Sequence, residues 1–301
     1  MTRARDVANS TTALSVDGTI KLDGNYPVGS GNVALGNTAL DSLTSGGNNT
    51  AIGRDAMTAN TSGGTNVALG GRSLEANTTA SNNIAVGYGA MLVNTTGANN
   101  VGIGYNALLS NTTASNNTAV GYQSLYTNTT LGNSTAVGYQ AGYSNTSGGV
   151  QAFGYLALRA NTTGIQNHAF GNQTLDANTT GAYNTAMGGY ALSANTTASK
   201  NTAVGFEAGY SNTTGEQNTA LGRVAMRTNT TGNYNVSVGS IALYYNTTGS
   251  YNTALGVQAL NNNTTASNNT AVGYQAGHSN TTGADNVLLG FLAGKSQTTA
   301  S

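Results

Sequence analysis

The chain has 301 residues, a formal net charge of zero, and only 10 basic and 10 acidic side chains, so that 7% of its residues are charged. Typical soluble domains have about 25%. It contains 42 Gly, 42 Asn and 47 Thr, but no Cys and no Trp. This composition lacks the basic patch that nucleic-acid binding requires and the long apolar segment that membrane insertion requires. The absence of Cys also excludes disulfides and thiolate metal sites.

The first predicted element is a lead-in or attachment segment, residues 1–31. It precedes the regular pattern of the remaining chain and contains the only proline, Pro27. The second is a repeat region, residues 32–301, in which one motif centred on glycine occurs sixteen times. Every step is 17 residues, except for a step of 16 between Gly138 and Gly154. A fixed period of this kind is typical of a solenoid.

Each repeat begins with a short extended segment, as in Thr118, Ala119 and Val120 before Gly121. Side chains alternate along a strand, so the Thr and Val positions share one side and Ala and Gly the other. We expect the bulky side to face inward and the small side to pack closely against identical chains. A second short strand is expected after the glycine, followed by an Asn-Thr-Thr turn. Helix is disfavoured, because Gly, Asn and Thr all have poor helix propensity.

These features predict an all-β fold: a β-solenoid or parallel β-roll of about sixteen 17-residue coils, with two strands per coil. A thin coil of this kind has little interior, so we expect a homotrimeric fibre. The last repeat ends within its turn. Because solenoid ends normally carry a cap, we expect a further domain, a processed piece or a packing partner there.

The Asn-Thr-Thr/Ser turns occur fourteen times and match the acceptor pattern for N-glycosylation. Glycans on successive coils would crowd one another, whereas stacked asparagines can hydrogen-bond from coil to coil. We therefore predict a structural turn ladder that includes Asn77, Asn94, Asn111, Asn128, Asn145, Asn161, Asn178 and Asn195.

An aromatic residue follows the motif glycine in five consecutive repeats. Two interpretations are open: the rings stack for structural reasons, or they form a strip that contacts saccharide rings. The candidate ligand-binding residues are Tyr88, Tyr105, Tyr122, Tyr139 and Tyr155.

Catalytic groups are sparse. We expect His168 to pack in the core and His278 to lie beside a surface turn. Asp41 and Glu75, at equivalent positions two coils apart, come nearest to the carboxyl pair of a glycosidase. Calcium-binding β-rolls carry Asp in every turn, and this chain does not. The sequence therefore predicts no enzyme activity, no metal site and no cofactor.

The repeats resemble a known class of protein. Units such as NTAVGYQAG (269–277) and the recurring NTTG turn resemble repeats in bacteriophage tail fibres, particularly those of marine cyanobacterial phages. The stretch SVDGTIKLDGNYPVGSGNVALGNTAL (15–40) resembles the lead-in to such repeats. The Asn-x-Ala-(Val/Ile)-Gly core is similar, more distantly, to head repeats of trimeric autotransporter adhesins. The resemblance implies homotrimeric fibres on a virion surface that bind host cells.

The expected function is that of a structural tail-fibre segment, a rigid spacer that also presents a host-adhesion surface. Its expected partners are two further copies of itself, other virion proteins, and a host glycan or receptor. One alternative is an adhesin or filament protein on a bacterial surface. An ice-binding solenoid is another, because Thr columns recur, and a polysaccharide hydrolase is a third.

Overall fold

The computed structural model describes residues 31–299. Within this range the chain forms strands and turns and no helix. The sixteen strands each contain three residues and coincide with the extended segment before each motif glycine. The all-β solenoid prediction is confirmed. Except for Gly31, the predicted lead-in segment lies outside the described residues.

The chain divides into two compact units between Gln140 and Ala141. The strands of the first unit are β1 (Val33–Leu35), β2 (Thr50–Ile52), β3 (Val67–Leu69), β4 (Ile84–Val86), β5 (Val101–Ile103), β6 (Thr118–Val120) and β7 (Thr135–Val137). Those of the second are β8 (Gln151–Phe153), β9 (His168–Phe170), β10 (Thr185–Met187), β11 (Thr202–Val204), β12 (Thr219–Leu221), β13 (Val236–Val238), β14 (Thr253–Leu255), β15 (Thr270–Val272) and β16 (Val287–Leu289).

Within each unit, every strand pairs in parallel with the strand of the next repeat, without a shift in register. Ala119 of β6 is opposite Ala136 of β7, and Ala203 of β11 is opposite Ala220 of β12. Seventeen residues therefore make one complete coil, and equivalent residues of successive repeats form columns.

The prediction of a second strand after the motif glycine is wrong, because this segment is a series of turns. Non-glycine residues here have left-handed backbone angles, such as Gln123 with φ 52° and Leu125 with φ 47°. A strand cannot contain such angles. The turns still bond from coil to coil: the Gln123 amide donates to the Tyr105 carbonyl at 2.9 Å, and the Leu108 amide donates to the Ser124 carbonyl at 3.0 Å.

The two faces of the strand are the reverse of those expected. The central alanine, such as Ala119, is completely buried inside the coil, whereas the flanking residues point outward. The reason is space: fully buried leucines and methionines of the turns, such as Leu125 and Met91, fill the interior. A methyl group added at Gly102, in place of this alanine, would lie only 3.2 Å from Met91 Cγ. Nothing larger than alanine fits beneath most of the strands.

The motif glycines do mark a close approach, but it is between coils of one chain and not between chains. A Cβ atom added to Gly53, which has φ +134°, would lie 2.6 Å from both the carbonyl carbon and the oxygen of Gly70. That position accommodates only glycine. The small side of the strand therefore belongs to the interior, and it offers no surface for packing a second chain.

Candidate functional site

The structure places the asparagines of the predicted turn ladder in a fully buried column within each unit. In the first unit, Asn94 Nδ2 donates to Asn77 Oδ1 at 3.0 Å and Asn111 Nδ2 to Asn94 Oδ1 at 2.7 Å. Asn128 Nδ2 donates to Asn111 Oδ1 at 3.1 Å. Most of these amides also bond a turn carbonyl, as Asn77 does to Ala80 at 3.1 Å. Most of these amides thus join one coil to the next and also close their own turn.

The second unit has the same column. Asn178 Nδ2 donates to Asn161 Oδ1, and Asn195 Nδ2 to Asn178 Oδ1, both at 2.7 Å. The ladder also crosses the 16-residue repeat, where Asn161 Nδ2 donates to Asn145 Oδ1 at 2.8 Å. The shortened turn therefore leaves the column intact.

A second buried asparagine column lies just before the strands. Asn83 Nδ2 donates to the Gly97 carbonyl at 2.9 Å, and Asn83 Oδ1 accepts from the Asn100 backbone amide at 2.9 Å. Both columns bond the same turn carbonyls, since Asn94 Nδ2 also donates to the Gly97 carbonyl, at 3.0 Å. The nitrogen that a glycan would occupy in each turn triplet is consequently buried and hydrogen-bonded, as Asn94 Nδ2 illustrates. Glycosylation there would require the coil to open.

Four of the five candidate tyrosines form a stacked surface strip in the first unit. The ring centroids of Tyr88 and Tyr105 are 5.7 Å apart, those of Tyr105 and Tyr122 5.4 Å, and those of Tyr122 and Tyr139 5.1 Å. The interplanar angles are 15° or less. These four residues are 41–47% exposed. Tyr155, the fifth candidate, belongs to the second unit and is also exposed. We call Tyr88, Tyr105, Tyr122 and Tyr139 the tyrosine strip.

Polar side chains lie alongside the tyrosine strip. Gln140 Nε2 donates to Gln123 Oε1 at 2.9 Å in the neighbouring column. Near one end, Arg72 forms an ion pair with Glu75, with Nε 2.6 Å from Oε2. Hydrogen bonds to Glu75 and then to Tyr88 raise the pKa of Arg72 above its ordinary value, so this guanidinium stays charged. Aromatic rings edged by amide and charged groups suit a ligand that has both apolar faces and hydroxyls.

A second surface feature is the outer face of the strands, on which a bulky apolar residue from each coil forms a column. In the second unit Met187, Leu221 and Leu255 are 39–45% exposed. In the first unit Leu69 and Ile103 occupy the equivalent position of their own repeats and are also exposed. Sequence reasoning identified these residues as one column but placed it inside. Both sides of the strand are apolar, so alternation alone could not decide which side was buried.

Groups capable of catalysis remain dispersed. His168 is only half-buried, on the outer face of β9, so the expectation of a packed core histidine is wrong. The pKa of His278 is lowered, first by burial and then by the charge of Lys295. Glu75 pairs with Arg72, while Asp41 is exposed. Among residues 31–299, no three His, Asp or Glu side chains come together in a way that could hold a metal ion.

In most turn triplets the first threonine holds one coil to the next. Thr78 Oγ1 donates to the Thr95 carbonyl at 3.1 Å, and Thr95 Oγ1 donates to the Thr112 carbonyl at 3.1 Å. Ice-binding surfaces need a regular array of free hydroxyls, and the hydroxyls of these first threonines are already bonded. The column of first threonines therefore does not favour the ice-binding alternative.

Comparison with protein-family models, with curated proteins and with solved structures finds no match for this chain. No activity or partner therefore carries over to it from a relative. The part of the chain that the structure describes has no apolar helix of membrane-spanning length.

Proposed function

We propose that this chain is a structural fibre segment, a stiff spacer built from stacked coils. The observation that carries the proposal is the buried asparagine ladder, which joins successive coils in both units through side chains as well as strands. Such a ladder resists bending and local opening, because each coil that separates exposes several buried polar groups. The resemblance of the repeats to bacteriophage tail fibres supports placing this spacer on a virion.

The exposed apolar column on the strands is the surface that we propose for self-association into a homotrimer. Contiguous apolar patches of this kind are uncommon on monomeric proteins and mark interaction surfaces. Leu221 and Leu255 are equivalent residues two coils apart. Identical chains would present the same apolar column in each unit, which suits a symmetric assembly.

We further propose that the tyrosine strip is an adhesion surface for a glycan on the host cell. Its rings are stacked at one-coil intervals and remain partly exposed, so a saccharide chain can contact their outer edges over several coils. Three copies in one fibre would raise avidity through effective concentration.

The adhesive role predicts that Tyr105→Ala combined with Tyr122→Ala weakens binding to host cells about tenfold, an amount that corresponds to about 1.4 kcal/mol. The thermal unfolding midpoint should fall modestly, because the two rings are about half-exposed and lose only their stacking contacts, so binding is compared at a temperature where both proteins are folded. Tyr183→Ala is the matched control, since Tyr183 is an exposed tyrosine of the second unit. Binding of labelled protein to cells is the measurement. Full binding by a folded double variant would show that the strip serves only to stabilise the coils.

The alternative function is that of an adhesin or filament protein on a bacterial surface, built from the same coil. Both functions use the same ladder and the same exposed column. Detection of the chain by mass spectrometry in purified virions would favour the phage fibre, and detection in washed cell envelopes would favour the bacterial surface.

A further inference from the structure

The second unit contains an open cleft of about 540 Å³ that spans several adjacent coils. Its floor includes the buried side chain of Val224, and its walls include Phe206, Arg223, Tyr244 and Tyr245. A volume of this size is within the range of about 300–1,000 Å³ for small-molecule sites.

The cleft coincides with departures from the repeat. The residue after the motif glycine, which is an aromatic ring in the tyrosine strip, is here arginine at 223 and serine at 240. The small Ser240 leaves space beside Arg223. The sixth residue after the glycine is Ala, Ser, Thr, Val or Asn in the other repeats, but it is Tyr245 in this one. Tyr245 is half-exposed and its ring packs edge-on against Tyr244, with centroids 4.6 Å apart.

The charges of the cleft leave one arginine available to a ligand. Arg227 Nε pairs with Glu207 Oε2, and its guanidinium also lies 5.1 Å from the centroid of the Tyr210 ring. The hydrogen bond to Glu207 raises the pKa of Arg227. Arg223 is exposed, and among the described residues nothing forms a hydrogen bond or ion pair with its guanidinium. A planar guanidinium of this kind binds carboxylates through two parallel hydrogen bonds.

We propose that this cleft binds a uronic acid unit of an acidic saccharide. Arg223 pairs with the carboxylate, and Tyr245 contacts the apolar face of the sugar ring. Gln258 Oε1 accepts from Gln275 Nε2 at 2.6 Å, which leaves Gln258 Nε2 to donate to the sugar hydroxyls. The inference rests on the adhesive part of the proposed function and gives it a ligand class. The cleft is separate from the tyrosine strip, which lies in the first unit.

The test is an NMR titration of the full chain with methyl glucuronide, using methyl glucoside and acetate as the neutral-sugar and free-carboxylate probes. We expect the glucuronide to bind at least tenfold more tightly than either probe. Arg223→Ala and Tyr245→Ala should each weaken it about tenfold. Arg159→Ala, which removes an exposed arginine elsewhere in the same unit, should have no effect.

Equal binding of glucuronide and glucoside, no binding of glucuronide, or unchanged affinity in a folded Arg223→Ala variant would each overturn the proposal. Binding of acetate as tight as that of glucuronide would show a carboxylate site with no preference for a sugar. Host-cell binding measured on the same variants separates this proposal from the broader one. If host cells bind the Arg223→Ala variant fully but bind the tyrosine-strip variant poorly, the cleft does not take part in adhesion. The proposed adhesive role of the tyrosine strip would then still hold.

Discussion

Gly222→Ala is expected to destabilise the second unit by more than about 4 kcal/mol, an exceptionally large effect for a single substitution. Gly222 has φ +137°, a conformation that side chains rarely adopt, and its added Cβ would lie 2.6 Å from the carbonyl oxygen of Gly239 and 2.7 Å from its carbonyl carbon. The neighbouring atoms are backbone, so relief would require two coils to separate and would break their hydrogen bonds. Urea unfolding followed by circular dichroism measures the change.

Gly290→Ala is the matched control for this effect. Gly290 has φ +123°, but an added Cβ would meet nothing within 4 Å. It therefore shares the backbone strain, worth about 1–2 kcal/mol, without the overlap. The two variants should differ by at least about 2 kcal/mol. Equal losses would mean that backbone strain alone, and not the coil-to-coil approach, requires glycine.

Asn195→Ala is expected to lower the free energy of unfolding of the second unit by about 3–5 kcal/mol. It removes three buried hydrogen bonds, and the polar atoms that lose their partner are buried where water cannot replace it. Asn195 Nδ2 donates to Asn178 Oδ1 at 2.7 Å and to the Ala198 carbonyl at 3.1 Å. Asn195 Oδ1 accepts from Asn212 Nδ2 at 3.1 Å. Asn195→Asp keeps the shape but loses both donors and buries a charge, so it should be at least as damaging.

The control for the ladder is Asn172→Ala, which removes an exposed asparagine of the same unit and should change stability by less than about 0.5 kcal/mol. The measurement is again urea unfolding. If Asn195→Ala lowered the free energy of unfolding as little as Asn172→Ala, the buried asparagine column would not be what stabilises the coils.

The period, the strand positions and the parallel register could all be predicted from the sequence. The motif glycine recurs every 17 residues with one exception, and a bulky residue always precedes it, as Val120 precedes Gly121. Stacked coils place equivalent residues together, so the register follows directly from the period. The same reasoning placed Asn94, Asn111 and Asn128 in one column.

The faces of the strand and the path of the turns could not be predicted, and the reasons differ. Alternation does not show which side is buried when Ala119 lies on one side and Val120 on the other. The left-handed backbone of the turns could not be predicted, because leucines such as Leu125 occupy positions with positive φ that leucine normally avoids. One signal was present: glycine replaces this leucine in four repeats, as at Gly142 and Gly209, both of which have φ 60°.

An irregular coil in the first unit shows what the repeat requires. Leu131 stands where most repeats have a buried Gly or Ala, and it is half-exposed instead. Nearby, Asn117 Nδ2, Asn128 Oδ1 and Ser134 Oγ are buried without hydrogen-bond partners within the described chain. We infer that the side chain is too large for the interior and that the turn shifts, which costs some of the asparagine bonds, although Asn128 Nδ2 keeps its bond to Asn111 Oδ1. Such a departure could be seen in the sequence, but its consequence could not.

The most direct test of the proposed self-associating fibre is sedimentation equilibrium of the purified chain. We predict a mass three times that of the 30.2 kDa chain. A double variant, Leu221→Asp with Leu255→Asp, should fall toward the single-chain mass, because it places charges within the exposed apolar column. Thr231→Asp adds a charge on an exposed turn of the same unit and should leave the assembly intact. A wild-type mass of one chain at every concentration would contradict the proposed assembly, as would a double variant that stays associated.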